Sequence, residues 1–461
     1  MGWVIQSSVI LLPLLSGVCL ARFALAGGLP THLATFLGFT IVFGAASAAG
    51  LLAILDALSV KWTNTAFTVA CVVLLVAECV AIYLTRTRSI HWCSSARGTT
   101  RSQRFLATAL ALLILAHILL AAIDALNRPL FPWDATMHWA TKAKVWFEQQ
   151  RLVDFVTAEQ WIEARRDSLT FTDEHPDYPV TMPLLQVWMC IAQGHWSSVA
   201  INLPWVLFLC SLALLFYGES RLLGVSWLTA LLFTYFLVSL PLLGTHVALS
   251  GYADFPQGVV FFAAFLLVQR AFMFPDWMRG LLALALAIFV TQVKNEGFFW
   301  AASLLATSLF MVQPLVRALG ISAATLLLVV IAFFLVPQNF EFAGHSLASL
   351  KIGFRPEHLA ALPQQFYATL SWNLMFLVLA SGWLAFFVVG TQDRVLRAMF
   401  VTVAATTTLY ILLYSLTKYA PGSTRLTSAP RIFLHLAPLQ LFFAMLVWQR
   451  LVNRYPGSQA V

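Results

Sequence analysis

Charge is what this chain has least of. Asp, Glu, Lys and Arg make up 10% of its 461 residues, against about 25% in ordinary soluble domains. With 60% hydrophobic residues and a mean hydropathy of +0.83, this scarcity excludes a soluble enzyme, a disordered chain and a nucleic-acid binder. Cysteine is sparse too. The six cysteines, Cys19, Cys71, Cys79, Cys93, Cys190 and Cys210, form no CxxC pair. Five of them lie in apolar segments, so neither a disulfide framework nor a thiolate metal site is implied. HExxH, a Walker loop and GxGxxG ahead of a helix are all missing, so no metal, nucleotide or dinucleotide cofactor is expected. The first apolar stretch has no basic leader, so it is expected to remain as a span.

What is present is hydrophobic length. Apolar runs fall at 4–25, 33–55, 65–85, 105–126, 198–217, 225–246, 254–273, 279–293, 297–313, 317–336, 367–390, 397–416 and 431–449. They predict an all-α polytopic membrane protein with about 13 transmembrane helices. A further stretch, 179–196, starts at Pro179 and is interrupted by Pro183. It reads as an interfacial or re-entrant helix. The segment 86–104 carries Arg86, Arg88, Arg97, Arg101 and Arg104 and no acid, which marks it as cytoplasmic. Counting spans from it places Arg22, Arg221, Arg270, Arg279, Arg317, Arg394, Arg397, Arg450 and Arg454 on that same side. The agreement is lost if 179–196 crosses. The N-terminus is then outside, the C-terminus inside, and the net charge of +8 is cytoplasmic loop charge. Three regions follow: a three-span module at 1–104, a core at 105–336 that includes an outer loop over 127–196, and C-terminal spans and loops at 337–461.

Half of the few acids crowd one place. Of nineteen, nine lie in the outer loop: Asp134, Glu148, Asp154, Glu159, Glu163, Asp167, Asp173, Glu174 and Asp177. Asp134 stands where it can cap a helix beginning just after it. Asp134, His138 and Lys142 then share one face at i, i+4 and i+8. Trp139, Ala143, Trp146 and Phe147 share another, so the helix is expected to lie in the membrane interface. Asp134 is either a plain cap or a carboxylate that accepts a proton from a hydroxyl nucleophile. The run Asp173-Glu174-His175-Pro176-Asp177-Tyr178-Pro179 is either a structural elbow or a rigid segment presenting His175, Asp177 and Tyr178 to a substrate. Polar residues also mark the outer span ends. Asp254 opens one span. Lys294 and Glu296 join two short ones, where they pair with each other or line a wet cavity. Lys418, Arg425 and Arg431 are either loop charge or a seat for a lipid phosphate. His246, His345 and His358 are isolated and read as structural.

The order of these features resembles the GT-C superfamily of membrane glycosyltransferases, and most of all the protein O-mannosyltransferase and aminoarabinose-transferase type. The likeness covers about 105–450. It rests on the acidic residue opening an amphipathic helix at 132–147, the Pro-rich elbow at 175–185, and the stretches 251–257, 294–297 and 429–438. It implies a GT-C-like fold with surface helices. It also implies an inverting, single-displacement transfer of a sugar from a polyprenyl-phosphate carrier to a glycan, lipid or protein acceptor. The first-loop acid of the superfamily matches Asp134, the implied catalytic base. Lys294, Arg425 and Arg431 are the implied donor-phosphate ligands, and His138, Lys142, His175, Asp177, Tyr178, Asp254 and Glu296 the implied substrate contacts. The implied setting is a bacterial inner membrane, with the site facing the periplasm and no nucleic acid involved. The chain departs from the pattern at three points. The elbow lacks the Lys-Pro-Pro of aminoarabinose transferases, no second acid adjoins Asp134, and three spans precede residue 105. The competing expectations are a lipid-linked-sugar transporter or flippase, and a polysaccharide ligase or polymerase of another membrane family.

Overall fold

The structure, a computed structural model, describes residues 2–27, 30–85, 89–93, 100–163, 169–337, 339–342, 345–389 and 393–454. Arg86, Arg88, Arg97 and Asp167 lie outside the described residues.

Helices begin where the sequence supplies a cap. Thr63 and Thr100 accept from backbone N–H groups of their first turns, and Gln103 completes a capping box with Thr100. Asp276 and Asp393 cap the helices Trp277–Thr291 and Arg394–Leu416 in the same way. Nine helices among the described residues are long and apolar enough to cross a membrane, so the chain is a multi-pass membrane protein. The pair Trp227–Val238 and Pro241–Ala248, bent by 58°, is apolar and long enough together for a tenth crossing or a re-entrant loop. The bend follows from Pro241, which forces Leu240 into an extended conformation (φ −61°, ψ 121°).

The remaining runs fall on helices of 15 or 16 residues, Trp277–Thr291, Gly297–Val312 and Met375–Val389. Each is about 22–24 Å long, short of a bilayer core of about 30 Å. The expected number of spans thus divides into nine full-length helices, one bent pair and three short helices.

The stretch at 179–196 is a 13-residue helix, Thr181–Gln193, too short to cross. It is buried on all sides from Thr181 to Ala192. It packs against the first two helices, and Trp188 donates its indole N–H to the Val9 carbonyl at 2.7 Å.

Two helices form the axis of the bundle, Asp254–Met273 and Ser428–Arg454, each 89% buried over its most apolar window. Gly258 lets them touch. A Cβ there would lie 2.8 Å from the Leu434 carbonyl oxygen. Pro438 lacks the N–H that would bond that carbonyl within its own helix. Toward the other end of the axis, Arg270 and Glu219 form a buried pair at 2.7 Å. Arg279 donates to the Ala24 and Ala26 carbonyls at 2.7 and 2.6 Å, tying the first helix to the bundle.

Candidate functional site

At the start of the Asp254–Met273 helix the close approach at Gly258 gathers charge. Asp254 is completely buried. Its Oδ1 accepts from Lys294 Nζ at 2.6 Å and from His435 Nε2 at 3.1 Å. Its Oδ2 accepts from Arg431 Nε and Nη2 at 3.0 and 2.9 Å. Trp300 donates its indole N–H to His435 Nδ1 at 3.0 Å, so the imidazole proton must sit on Nε2, facing Asp254. Arg431 also reaches Asp134 Oδ2 at 2.7 Å. Its guanidinium lies over the Tyr252 ring, 4.4 Å from the centroid. Glu296 lies 3.3 Å from Lys294 Nζ. Two cations therefore meet three carboxylates, drawn from four separate stretches of chain.

Local backbone holds Asp134 in place. Gly251 has φ +104°, and a Cβ there would lie 2.4 Å from the Ala135 Cβ. Only glycine permits both this conformation and this approach. Trp205 fixes the next residue by donating to the Tyr252 carbonyl at 2.8 Å. Asp134 makes no side-chain cap, contrary to the sequence reading. It is already helical (φ −59°, ψ −35°), and a π-helical turn, Ala135–Trp139, follows it. The wider turn moves Asp134 off the face shared by His138 and Lys142 and directs it to Arg431. π-turns of this kind recur at functional sites.

His138 and Lys142 serve a second cluster. Asp173 binds His138 Nδ1 at 2.5 Å and Lys142 Nζ at 2.8 Å. Lys142 also donates to the His175 carbonyl at 2.6 Å, and it is fully buried. Its role is thus internal, and it has no open route to a substrate. Burial pushes the Asp173 carboxyl upward, but Lys142, the His175 amide and His138 outweigh it and hold Asp173 below the usual carboxylate range. His175 stacks on Tyr178 with ring centroids 4.5 Å apart and planes 4° apart, and Tyr178 stacks in turn on Trp139. Burial, then the charges of Glu296, Asp134 and Asp254, raises the Tyr178 hydroxyl well above its ordinary range, so it stays a neutral donor.

The tryptophan face differs from expectation as well. Trp139, Ala143 and Trp146 are buried against the Thr181–Gln193 helix and its surroundings, not laid in lipid. The exposed apolar groups here are Phe131, Trp133 and Met137.

The two clusters are joined. Asn295, between Lys294 and Glu296, donates to Asp177 Oδ2 at 2.8 Å. The structure thus brings together Asp134, Asp254, Lys294, Glu296 and Arg431, and places His138, Lys142, His175, Asp177 and Tyr178 beside them. Arg425 stands apart, exposed, with no side-chain partner among the described residues. His435, Asn295, Asp173 and Tyr252 lie inside the stretches marked in the sequence, 429–438, 294–297, 173–179 and 251–257, but were given no role there. The spacing of Arg431 and His435, four apart on one helix, was the available signal for the first of them. For metal, the described residues offer one set, His138, Glu174 and His175, with ligand atoms within 4.8 Å of one another.

No family model, curated protein or solved structure matches this chain.

Proposed function

We propose that the protein is an integral-membrane glycosyltransferase. It moves a sugar from a polyprenyl-phosphate carrier to an acceptor hydroxyl at the end of the bundle that holds Asp134, facing the periplasm in a bacterial inner membrane. One observation carries the reading. Arg431 binds Asp134 and the buried Asp254 at once, which sets an open carboxylate beside two cations at the end of the spans.

The step balances as a single displacement. The acceptor oxygen forms a bond to the anomeric carbon, and its proton passes to Asp134 Oδ1, the oxygen not engaged by Arg431. The bond from the anomeric carbon to the phosphate oxygen breaks, and polyprenyl phosphate leaves with the electron pair. Arg431 Nη1 and the remaining N–H groups of Lys294 are the donors for that phosphate. Positioning and electrostatics do most of the work, because the leaving group carries its own charge.

A second reading, a transporter of lipid-linked sugar, draws on the broken span at Leu240, since interrupted helices are common in transporters. One experiment separates the two. The purified protein and Asp134→Asn are incubated with radiolabelled polyprenyl-phosphate sugars and acceptors. The transferase reading expects release of polyprenyl phosphate, slowed about a hundredfold or more in the variant, the scale of losing a general base. Equal turnover in both proteins removes Asp134 from the chemistry. Saturable binding without any turnover favours transport.

A further inference from the structure

We propose that His138, Glu174 and His175 form a binding site for a zinc-class divalent cation, oriented by Asp173. The inference does not depend on the transferase reading, because it concerns residues that the proposed displacement does not use.

The donor set is two imidazoles and one carboxylate, with ligand atoms within 4.8 Å of one another. Zinc takes such sets, at about 2.0–2.2 Å per ligand, and three protein ligands leave a fourth position for water or substrate. Calcium and magnesium prefer all-oxygen shells. Closing the set around an ion requires a movement of about 1–1.5 Å if the ligand atoms are to reach tetrahedral spacing. Glu174 is exposed and free to make it.

The surroundings match what a metal-bound imidazole needs. His138 Nδ1 is bound to Asp173 Oδ1 at 2.5 Å, which leaves Nε2 as the ligand atom. A carboxylate on the other nitrogen fixes the tautomer and raises the basicity of the ligand. Asp173 is itself held by Lys142 at 2.8 Å. Asp173 Oδ1 also accepts the backbone N–H of His175 at 3.0 Å. One carboxylate thus orients His138 and shapes the turn that carries Glu174 and His175. The His175 ring has no hydrogen-bond partner among the described residues, yet its plane is fixed by Tyr178 at 4°. The two imidazoles face each other nearly edge-on, with centroids 4.9 Å apart. Bound there, a cation would clamp the helix at 138 to the elbow at 174–175.

The test uses the full chain, purified without a polyhistidine tag, stripped with chelator and dialysed against Zn²⁺. Metal content is read by mass spectrometry, and affinity by competition with a chelating dye. The expected result is about one zinc per chain, undisturbed by excess Mg²⁺ or Ca²⁺. Glu174→Gln and His175→Ala should each weaken binding at least about tenfold. Glu174 is exposed, so its variant keeps the test valid if His175→Ala fails to fold. Less than about 0.1 zinc per chain at saturation, or unchanged affinity in Glu174→Gln, overturns the proposal.

Discussion

Replacing Asp254 with Asn tests the organisation of the whole site. The substitution keeps the shape and removes one negative charge at the point where Lys294, Arg431 and His435 converge. Asp254 is fully buried, and the side chains of Lys294 and Arg431 are 11% and 27% exposed, so water can do little to replace the lost partner. Breaking a buried pair by removing one member costs about 3–5 kcal/mol. That is about a hundredfold to several-thousandfold in the folded population. Glu296 remains for Lys294, and Asp134 for Arg431, which places the expectation at the lower end. The assay is thermal unfolding of the detergent-solubilised protein, followed by fluorescence-detected size exclusion. Asp124→Asn serves as control. It breaks an i,i+4 helix pair with Arg128, in which Arg128 is exposed and Asp124 partly so, worth less than about 1 kcal/mol. The double variant Asp254→Asn with Lys294→Met removes one charge of each sign and should recover part of the loss. If Asp254→Asn unfolds no earlier than the control, the charges are not mutually dependent and the account of the cluster is wrong.

Arg431→Lys tests geometry apart from charge. Lysine keeps the charge but cannot bridge Asp254 and Asp134 while lying flat over Tyr252. Turnover of a polyprenyl-phosphate sugar should fall at least about tenfold while the protein still elutes as a single folded species. Gly251→Ala should cost about 1–3 kcal/mol from its positive φ alone, and more from the contact with Ala135. Its melting temperature should drop, and turnover should fall with it as the first turn holding Asp134 shifts. A variant with unchanged melting and turnover would show that this approach is not required.

The sequence by itself determined the class of the protein. A chain with so little charge and so many apolar runs has to satisfy its backbone within helices, so an all-α membrane bundle followed from composition. The short helix at 181–193 was legible from its prolines and length. The crowding of acids at 134–177 pointed to the loop that supplies Asp134, Asp173 and Asp177 to the two clusters, and the runs around 251, 294 and 431 marked polar groups at span ends. Tertiary structure decided which of those groups meet. Asp254, Lys294 and Arg431 are 40 and 177 residues apart in the chain. The packing of two axial helices across Gly258, with Leu434 left open by Pro438, brings Asp254 and Arg431 together, and the turn between the helices Trp277–Thr291 and Gly297–Val312 adds Lys294. The faces of the first-loop helix were misread because 3.6-residue periodicity assumes a regular helix, and the π-turn after Asp134 resets the register. Burial misled as well. Tryptophans on one side of an amphipathic helix look alike whether they meet lipid or another helix, and here the Thr181–Gln193 helix covers them. Periodicity reports which residues share a face, but only the neighbouring element determines what that face touches.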